Sequence, residues 1–231
     1  MIDFDALVES YLKTERRPKA IGRYFPSEVG QCMRKAWYSY KEPRETDSSL
    51  LRVFEAGNRV HEFVVDVLKS DKTPEIELIE AEMPVTLEVD NFVIAGRIDN
   101  MIKINEDGKK VLVEVKSTGN LSMVTEAKRE HSMQLQIYMH ALQMPYGALL
   151  YIEKNTFKSK VFTVNYDKEF THVIIERFRK LHNFLVENKL PDPEARMVPD
   201  MNWMCNWCPY KEPCFGTPVE PNLTKWTTQT R

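Results

Sequence analysis

The chain has 231 residues, 42% of them hydrophobic and 29% charged, with a formal net charge of −2. These values suit a folded protein of about one ordinary domain, with room for a small appended module, and exclude a disordered tail or a collagen-like repeat. The near-neutral balance excludes a global field that draws in nucleic acid, so any such binding has to rest on local patches or on a metal.

No apolar run is long enough to cross a bilayer, so no membrane association is expected. The opening, MIDFDALVESYLKTERRPKA, is amphipathic and acidic where a secretory leader would be basic and then apolar, and a cytoplasmic chain is the expectation. Four cysteines without such a leader are metal ligands or free thiols before they are a disulfide framework.

Residues 3–14 are expected to form a helix with Phe4, Leu7, Val8, Tyr11 and Leu12 on one side. The basic stretch from Lys13 to Arg23, with Arg16, Arg17 and Lys19, reads as a surface loop that is either solvated or in contact with phosphates. Ser27 is placed to cap SEVGQCMRKAWYSY, in which Cys32 precedes Arg34, Lys35 and the aromatics Trp37, Tyr38 and Tyr40. Taken alone, Cys32 is a small buried hydrophobe.

Ser49 to Ser70 is an amphipathic helix with Leu51, Phe54, Val60, Val64, Val67 and Leu68 as its buried stripe. Gly57 and His61, spaced i, i+4, lie on one of its faces, and the glycine leaves room for another backbone or a substrate beside the imidazole. Glu75 to Val89 alternates as a strand. Its acids Glu80 and Glu82 are either solvated or support a metal from behind its ligands.

The polar centre of the sequence is VIAGRIDNMIKINEDGKKVLVEVKST, from Val93 to Thr118. Asp107-Gly108 is expected to close a two-residue type I′ hairpin with Glu106 opposite Lys109. Counting outward puts Lys116 opposite Asp99 and Glu114 opposite Met101, so all three polar side chains share one face. Asp99 and Glu114 are then diagonal neighbours about 7–8 Å apart at the backbone, a span that one divalent cation bridges. Val111, Val113 and Val115 form the apolar row behind them. Such charges are either the solvated face of an edge strand or two acids that hold a hard cation. In the second case the lysine ammonium positions, or helps deprotonate, a water beside a phosphate.

Ser122 to Gln143 has no proline or glycine and reads as a helix, with Gln134 and Tyr138 at i, i+4 and His131 one turn earlier on the same side. Met133, Met139 and Met144 are packing residues. Gly147 to Glu153 and Lys158 to Val164 are a second strand pair. Lys168 to Leu190 is a long helix with Arg177, Arg179 and Lys180 as a basic turn, followed by a linker punctuated by Pro191, Pro193 and Pro199. In the tail, Cys205, Cys208 and Cys214 form C-x2-C-x5-C, and two cysteines so close on a tight turn can point at one metal or cluster. Zinc sites more typically use two paired knuckles, whereas here Cys32 is the only cysteine left to complete four. A cluster, zinc and unliganded thiols all remain open on spacing alone.

Gly96-Arg97-Ile98-Asp99 followed by Glu114-Val115-Lys116 resembles the core motif of PD-(D/E)XK nucleases. Gly57-x-x-x-His61 is similar to the first motif of RecB-like nucleases, in which the histidine joins the metal shell. Gln134-x-x-x-Tyr138 resembles their third motif, where an amide and a phenol hydrogen-bond a phosphate, the attacking water or the lysine. The early cysteine and the three late ones resemble the iron-sulfur nucleases of the RecB and AddB kind, and above all the stand-alone CRISPR-associated four-cysteine exonucleases and their viral relatives.

The resemblance implies an α/β, restriction-endonuclease-like mixed β-sheet core flanked by helices. It implies a single nuclease domain over residues 1–231, with residues 49–190 as its core and residues 27–48 and 200–216 jointly forming an iron-sulfur lobe. It implies Mg²⁺ or Mn²⁺ on His61, Asp99, Glu114 and the carbonyl oxygen of Val115. Lys116, Asp99, Glu114, Gln134 and Tyr138 would then be the catalytic set, and Cys32, Cys205, Cys208 and Cys214 the ligands of a 4Fe-4S cluster. The implied activity is hydrolysis of DNA phosphodiester bonds by an exonuclease at single-stranded ends. The implied setting is CRISPR adaptation or viral or mobile-element recombination, with integration or recombination proteins as partners. The alternative is a non-catalytic DNA-binding subunit with a structural metal centre. The intact set of two acids and a lysine argues against it, since a degenerate copy is expected to lose one of them.

Overall fold

β3, Phe92–Ile104, organises the sheet in the computed structural model of the chain, which describes residues 1–13 and 18–216. Along one edge β3 pairs antiparallel with β2, Ile76–Val89, from Phe92 to Ile104. Its other edge pairs parallel with the short β1, Arg23–Tyr24, at Val93 and Ile94, and antiparallel with β4, Lys110–Thr118, at Asn100 to Lys103. β4 continues parallel to β5, Tyr146–Glu153, and β5 antiparallel to β6, Ser159–Asn165, completing a mixed six-stranded sheet among the described residues. On the β1/β4 edge, residues 95–99 of β3 therefore have no strand partner among the described residues. The functional side chains gather at this gap.

The β3–β4 connection corrects the expected register. Met101 pairs with Leu112 and Lys103 with Lys110, so the hairpin closes through residues 105–109 and not through a two-residue turn. A type I′ turn needs positive φ at both central residues, and only Gly108 has it, at +71°. The Asp107 carboxylate instead accepts the Lys109 backbone N–H at 3.1 Å, which opens the loop. The displacement is two residues, so it preserves the alternation of faces. Val111, Val113 and Val115 cluster with Val60 and Val64 on one side, and Leu112 clusters with Leu135 and Met139 on the other.

Helices cover both faces. α3, Ser48–Leu68, is capped by Asp47, which accepts the Ser49 N–H at 2.9 Å. Val60 and Val64 seat it on the sheet, each contributing on the order of 2 kcal/mol. Phe54 and Val67, expected in the buried stripe, are exposed. α4 is Arg129–Leu142, shorter than the expected helix from Ser122. Leu121 and Val124 are drawn into the core and the Lys128 N–H is taken by the Tyr151 hydroxyl at 3.0 Å, so helix begins only afterwards. From Met133 to Met139 every side chain of α4 is buried, including Gln134 and Gln136.

α2, Met33–Lys41, starts later than Ser27 suggested, because Pro26–Glu28 forms a separate 3₁₀ turn and Cys32 takes the N-cap position. α5, Lys168–Val186, packs with α2 around Tyr24, Phe92 and Phe178. It ends ahead of Leu190, where Asn188 turns to φ +52° and the Lys189 N–H reaches the Phe184 carbonyl at 2.9 Å. Its basic turn is not free surface. Arg177 donates to Glu194 at 2.7 Å and to the carbonyls of Val29 and Gln31 at 2.8 Å, and Arg179 pairs with Asp90 at 2.6 Å. α6, Glu194–Met197, carries Glu194. A 3₁₀ segment, Pro199–Trp207, and α7, Lys211–Gly216, then carry the three late cysteines back to Cys32.

At the N-terminus, α1, Phe4–Leu12, forms as expected but buries none of its residues, and Phe4, Leu7 and Tyr11 are exposed. It is joined to α3 by an Arg52–Asp5 ion pair at 3.0 Å. Arg16 and Arg17 lie outside the described residues. Lys19 places its ammonium 2.5 Å from the buried Glu28 carboxylate and 2.9 Å from the Ser39 hydroxyl. Among the described residues no helix is long and apolar enough to cross a membrane.

Candidate active site and cysteine centre

Side chains satisfy the backbone where the ladder between β3 and β4 stops. The Val115 N–H donates to Asp99 Oδ2 at 2.6 Å, and the Tyr138 hydroxyl donates to the Arg97 carbonyl at 2.8 Å. Gly96 permits this approach. A Cβ there would stand 2.8 Å from the Tyr138 hydroxyl and 2.9 Å from Pro26 Cδ, inside van der Waals contact. The Gly-Arg-Ile-Asp run thus brings α4 and the Pro26 turn against β3 beside the acid.

Glu114 and Lys116 face α4. Lys116 Nζ donates to Glu114 Oε1 at 2.8 Å and to Gln134 Oε1 at 3.0 Å, and Gln134 Nε2 donates to the same Glu114 oxygen at 2.6 Å. The expected pairing of Lys116 with Asp99 across the strands is replaced by this triangle. Glu114 is 2% exposed, and its Oε2 has no hydrogen-bond partner among the described residues. Burial, then the nearby Asp99 carboxylate, pushes the Glu114 carboxyl up to about 8, against the pull of the Lys116 ammonium.

His61 reaches the site from α3, with Nδ1 3.4 Å from Asp99 Oδ1. Burial draws the imidazole pKa down, but Asp99 and then Glu114 outweigh it and the net shift is upward. Gly57, one turn earlier, faces the Ser117 hydroxyl on β4; a Cβ there would meet that oxygen at 3.4 Å. Glu82, left open by the sequence, joins the group. One ligand atom each of His61, Glu82 and Asp99 lies within 4.8 Å of the others. Glu82 adopts φ +54°, outside regular strand geometry, and pairs with Arg97 at 3.3 Å. Glu80 is not in this group.

An orphaned buried carboxylate oxygen beside an imidazole and two further acids is the donor chemistry of a hard divalent cation, and these residues fit one. Tyr138 is buried, with its hydroxyl donating to the carbonyl of Arg97 on the strand that holds Asp99. His131 pairs with the Tyr151 hydroxyl at 2.9 Å and is pushed down to about 3 by burial and then by Lys116 and Lys128, which keeps it neutral.

All four cysteines line one cavity between α2 and the C-terminal segment. Burial, and then the neighbouring cysteine sulfurs, push the Cys205 thiol upward, and burial does the same to Cys208. Arg34 approaches Cys214 Sγ at 3.9 Å, and Tyr38 stacks on Tyr210 with ring centroids 5.2 Å apart. A groove walled by Lys116 and Gln134 shares Lys35 and Met204 with the cysteine cavity, and its walls also include Trp203 and Trp207. Sequence reasoning missed Lys35, Trp203 and Trp207; the signal available was two tryptophans flanking Cys205 at i, i+4.

A family model described as the PD-(D/E)XK nuclease superfamily matches residues 3–215. No curated protein matches the chain in sequence. Among solved structures, SSO0001 is 20% identical with a TM-score of 0.61, covering 90% of this chain and 91% of its own. An alkaline exonuclease from Laribacter hongkongensis, LHK-Exo, is 12% identical with a TM-score of 0.52 over 73% of this chain and 90% of its own. LHK-Exo in complex with dAMP gives 13% identity and a TM-score of 0.52, over 80% and 93% respectively. At these identities the likeness is one of fold.

Proposed function

This chain belongs to the PD-(D/E)XK nuclease superfamily, and from that premise we propose that it is a metal-dependent DNA exonuclease acting at single-stranded ends. One observation carries the reading: Lys116 and Gln134 converge on one oxygen of Glu114 and leave its other, buried oxygen without a partner beside Asp99. Mg²⁺ or Mn²⁺ on His61, Asp99, Glu114 and the Val115 carbonyl, with Glu82 joining from β2, would polarise a phosphoryl oxygen and lower the pKa of water.

The rest of the chemistry belongs to the chain. An ammonium has three N–H donors, and Lys116 commits two of them to Glu114 and Gln134. The third is left to orient a water for in-line attack on phosphorus, which breaks one ester P–O bond and yields a phosphate monoester and a hydroxyl. Gln134 holds acid and lysine at fixed separation, and Tyr138 steadies the strand that presents Asp99. The exonuclease structures of similar fold support action at ends.

The second half of the proposal is a single nuclease domain over residues 1–231, with residues 49–190 as its core. Residues 27–48 and 200–216 jointly form a lobe around a 4Fe-4S cluster on Cys32, Cys205, Cys208 and Cys214. All four cysteines line one cavity, and four thiolates suit a 4Fe-4S cluster. The cysteine pattern also supports a cytoplasmic role in CRISPR adaptation or in viral or mobile-element recombination.

The test is release of nucleotides from end-labelled single-stranded DNA with Mg²⁺ or Mn²⁺. Wild-type protein is expected to release them and Lys116→Ala is not. Metal-dependent cleavage retained in Lys116→Ala overturns the assignment.

A further inference from the structure

The groove beside Lys116 and Gln134 has a feature that packing does not account for. Trp203 and Trp207 are 54% and 78% exposed, whereas Trp37 is 8% exposed and donates its indole N–H to the Phe184 carbonyl at 3.2 Å. Burying an indole is among the larger favourable terms open to a folding chain, and two are left in water on the wall of one groove. They stand i, i+4 on the 3₁₀ segment Pro199–Trp207, on either side of Cys205. Lys35, on α2, adds a cation from the cysteine side. Glu130, the one acid on the wall among the described residues, lies in the first turn of α4, where free backbone N–H groups offset its charge.

We infer that this groove is a track for single-stranded DNA, in which bases stack on Trp203 and Trp207 and the backbone passes Lys35 on its way to Lys116. An indole stacks on any unpaired base whatever its identity, whereas the bases of a duplex are already stacked on each other. The argument for a strand over another occupant is continuity: the same groove is walled by Lys116, which orients the attacking water, and by Gln134, which holds Lys116 against Glu114. The inference rests on the nuclease reading above. It also gives the cysteine centre a second task, since the turn that presents Cys205 and Cys208 also fixes the stacking platform.

Binding and cleavage are measured separately. In Lys116→Ala protein without divalent cation, so that the strand survives, fluorescence anisotropy follows a labelled oligothymidylate. Trp203→Ala and Trp207→Ala are each expected to weaken binding about tenfold, with Trp→Phe retaining most of it and a duplex of equal length unaffected. In otherwise wild-type protein the alanine variants raise KM for a long strand by more than they lower kcat. Unchanged oligothymidylate binding by a folded double alanine variant overturns the track and leaves the nuclease reading standing. An equal loss for duplex and single strand overturns the single-strand assignment. Strand binding through the tryptophans without nucleotide release by the wild type leaves the track and overturns the nuclease reading.

Discussion

Asp99 Oδ2 accepts the backbone N–H of Val115 at 2.6 Å, which ties an acid on β3 to the residue between Glu114 and Lys116. The bond fixes the acid and caps a strand donor in one contact. Asp99→Asn keeps an acceptor oxygen for Val115, so it is expected to hold wild-type stability in urea while metal-dependent cleavage falls at least about 100-fold. Asp99→Ala also leaves the N–H unsatisfied and should lose a further ~1–3 kcal/mol in the same titration.

Glu114 predicts a pH dependence of the metal-free protein. Its folded carboxyl titrates at about 8 against 4.5 for the free side chain. The folded pKa is the higher one, so the contribution to stability is full below about 4.5 and is lost as pH rises through about 8. The melting temperature of EDTA-treated protein is expected to fall across that window more steeply than that of Glu114→Gln. Adding Mg²⁺ or Mn²⁺ at pH 8 should recover it in the wild type alone.

The two motif glycines should respond in opposite ways to alanine. At Gly96 a Cβ meets the Tyr138 hydroxyl and Pro26 Cδ at 2.8 and 2.9 Å, so Gly96→Ala is expected to cost ~1–3 kcal/mol by chemical denaturation. At Gly57 the neighbour is the Ser117 hydroxyl at 3.4 Å, an ordinary contact, and the position is mid-helix. Gly57→Ala should be neutral or gain up to ~1 kcal/mol from helix propensity.

Arg177 and Glu194 form a nearly buried ion pair that also holds the carbonyls of Val29 and Gln31, while Glu194 accepts the Met33 N–H at 2.8 Å. Both sides of Cys32 depend on it. Arg177→Met leaves a carboxylate without its partner and is expected to cost about 3–5 kcal/mol. Iron content per chain, measured on the same preparation, should fall with it.

The cysteine cavity is tested by colour. Protein purified without oxygen is expected to be brown with a broad charge-transfer band, and Cys32→Ser and Cys208→Ser to lose it. Colourless anaerobic protein with stoichiometric zinc would reassign the centre.

The sequence by itself determined which side chains share a face. Strand side chains alternate with period two, so an error of two residues in the hairpin turn left Glu114 and Lys116 together facing α4. Likewise i, i+4 spacing placed Gln134 and Tyr138 on one side of α4, and the C-x2-C-x5-C spacing kept Cys205, Cys208 and Cys214 on one cavity. Spacing says nothing of what covers a face, which is why α1 carries an apolar side that is left exposed.

Only the tertiary structure decided where the ladder beside Asp99 ends, that Glu82 turns toward His61, and that Tyr138 is committed to Arg97. The same holds for the meeting of Trp203 and Trp207 with Lys116 along one groove. Periodicity is a property of neighbours along the chain and survives local errors. Ladder ends and helix-to-sheet contacts join residues far apart in sequence, and they are settled by the packing of the whole core.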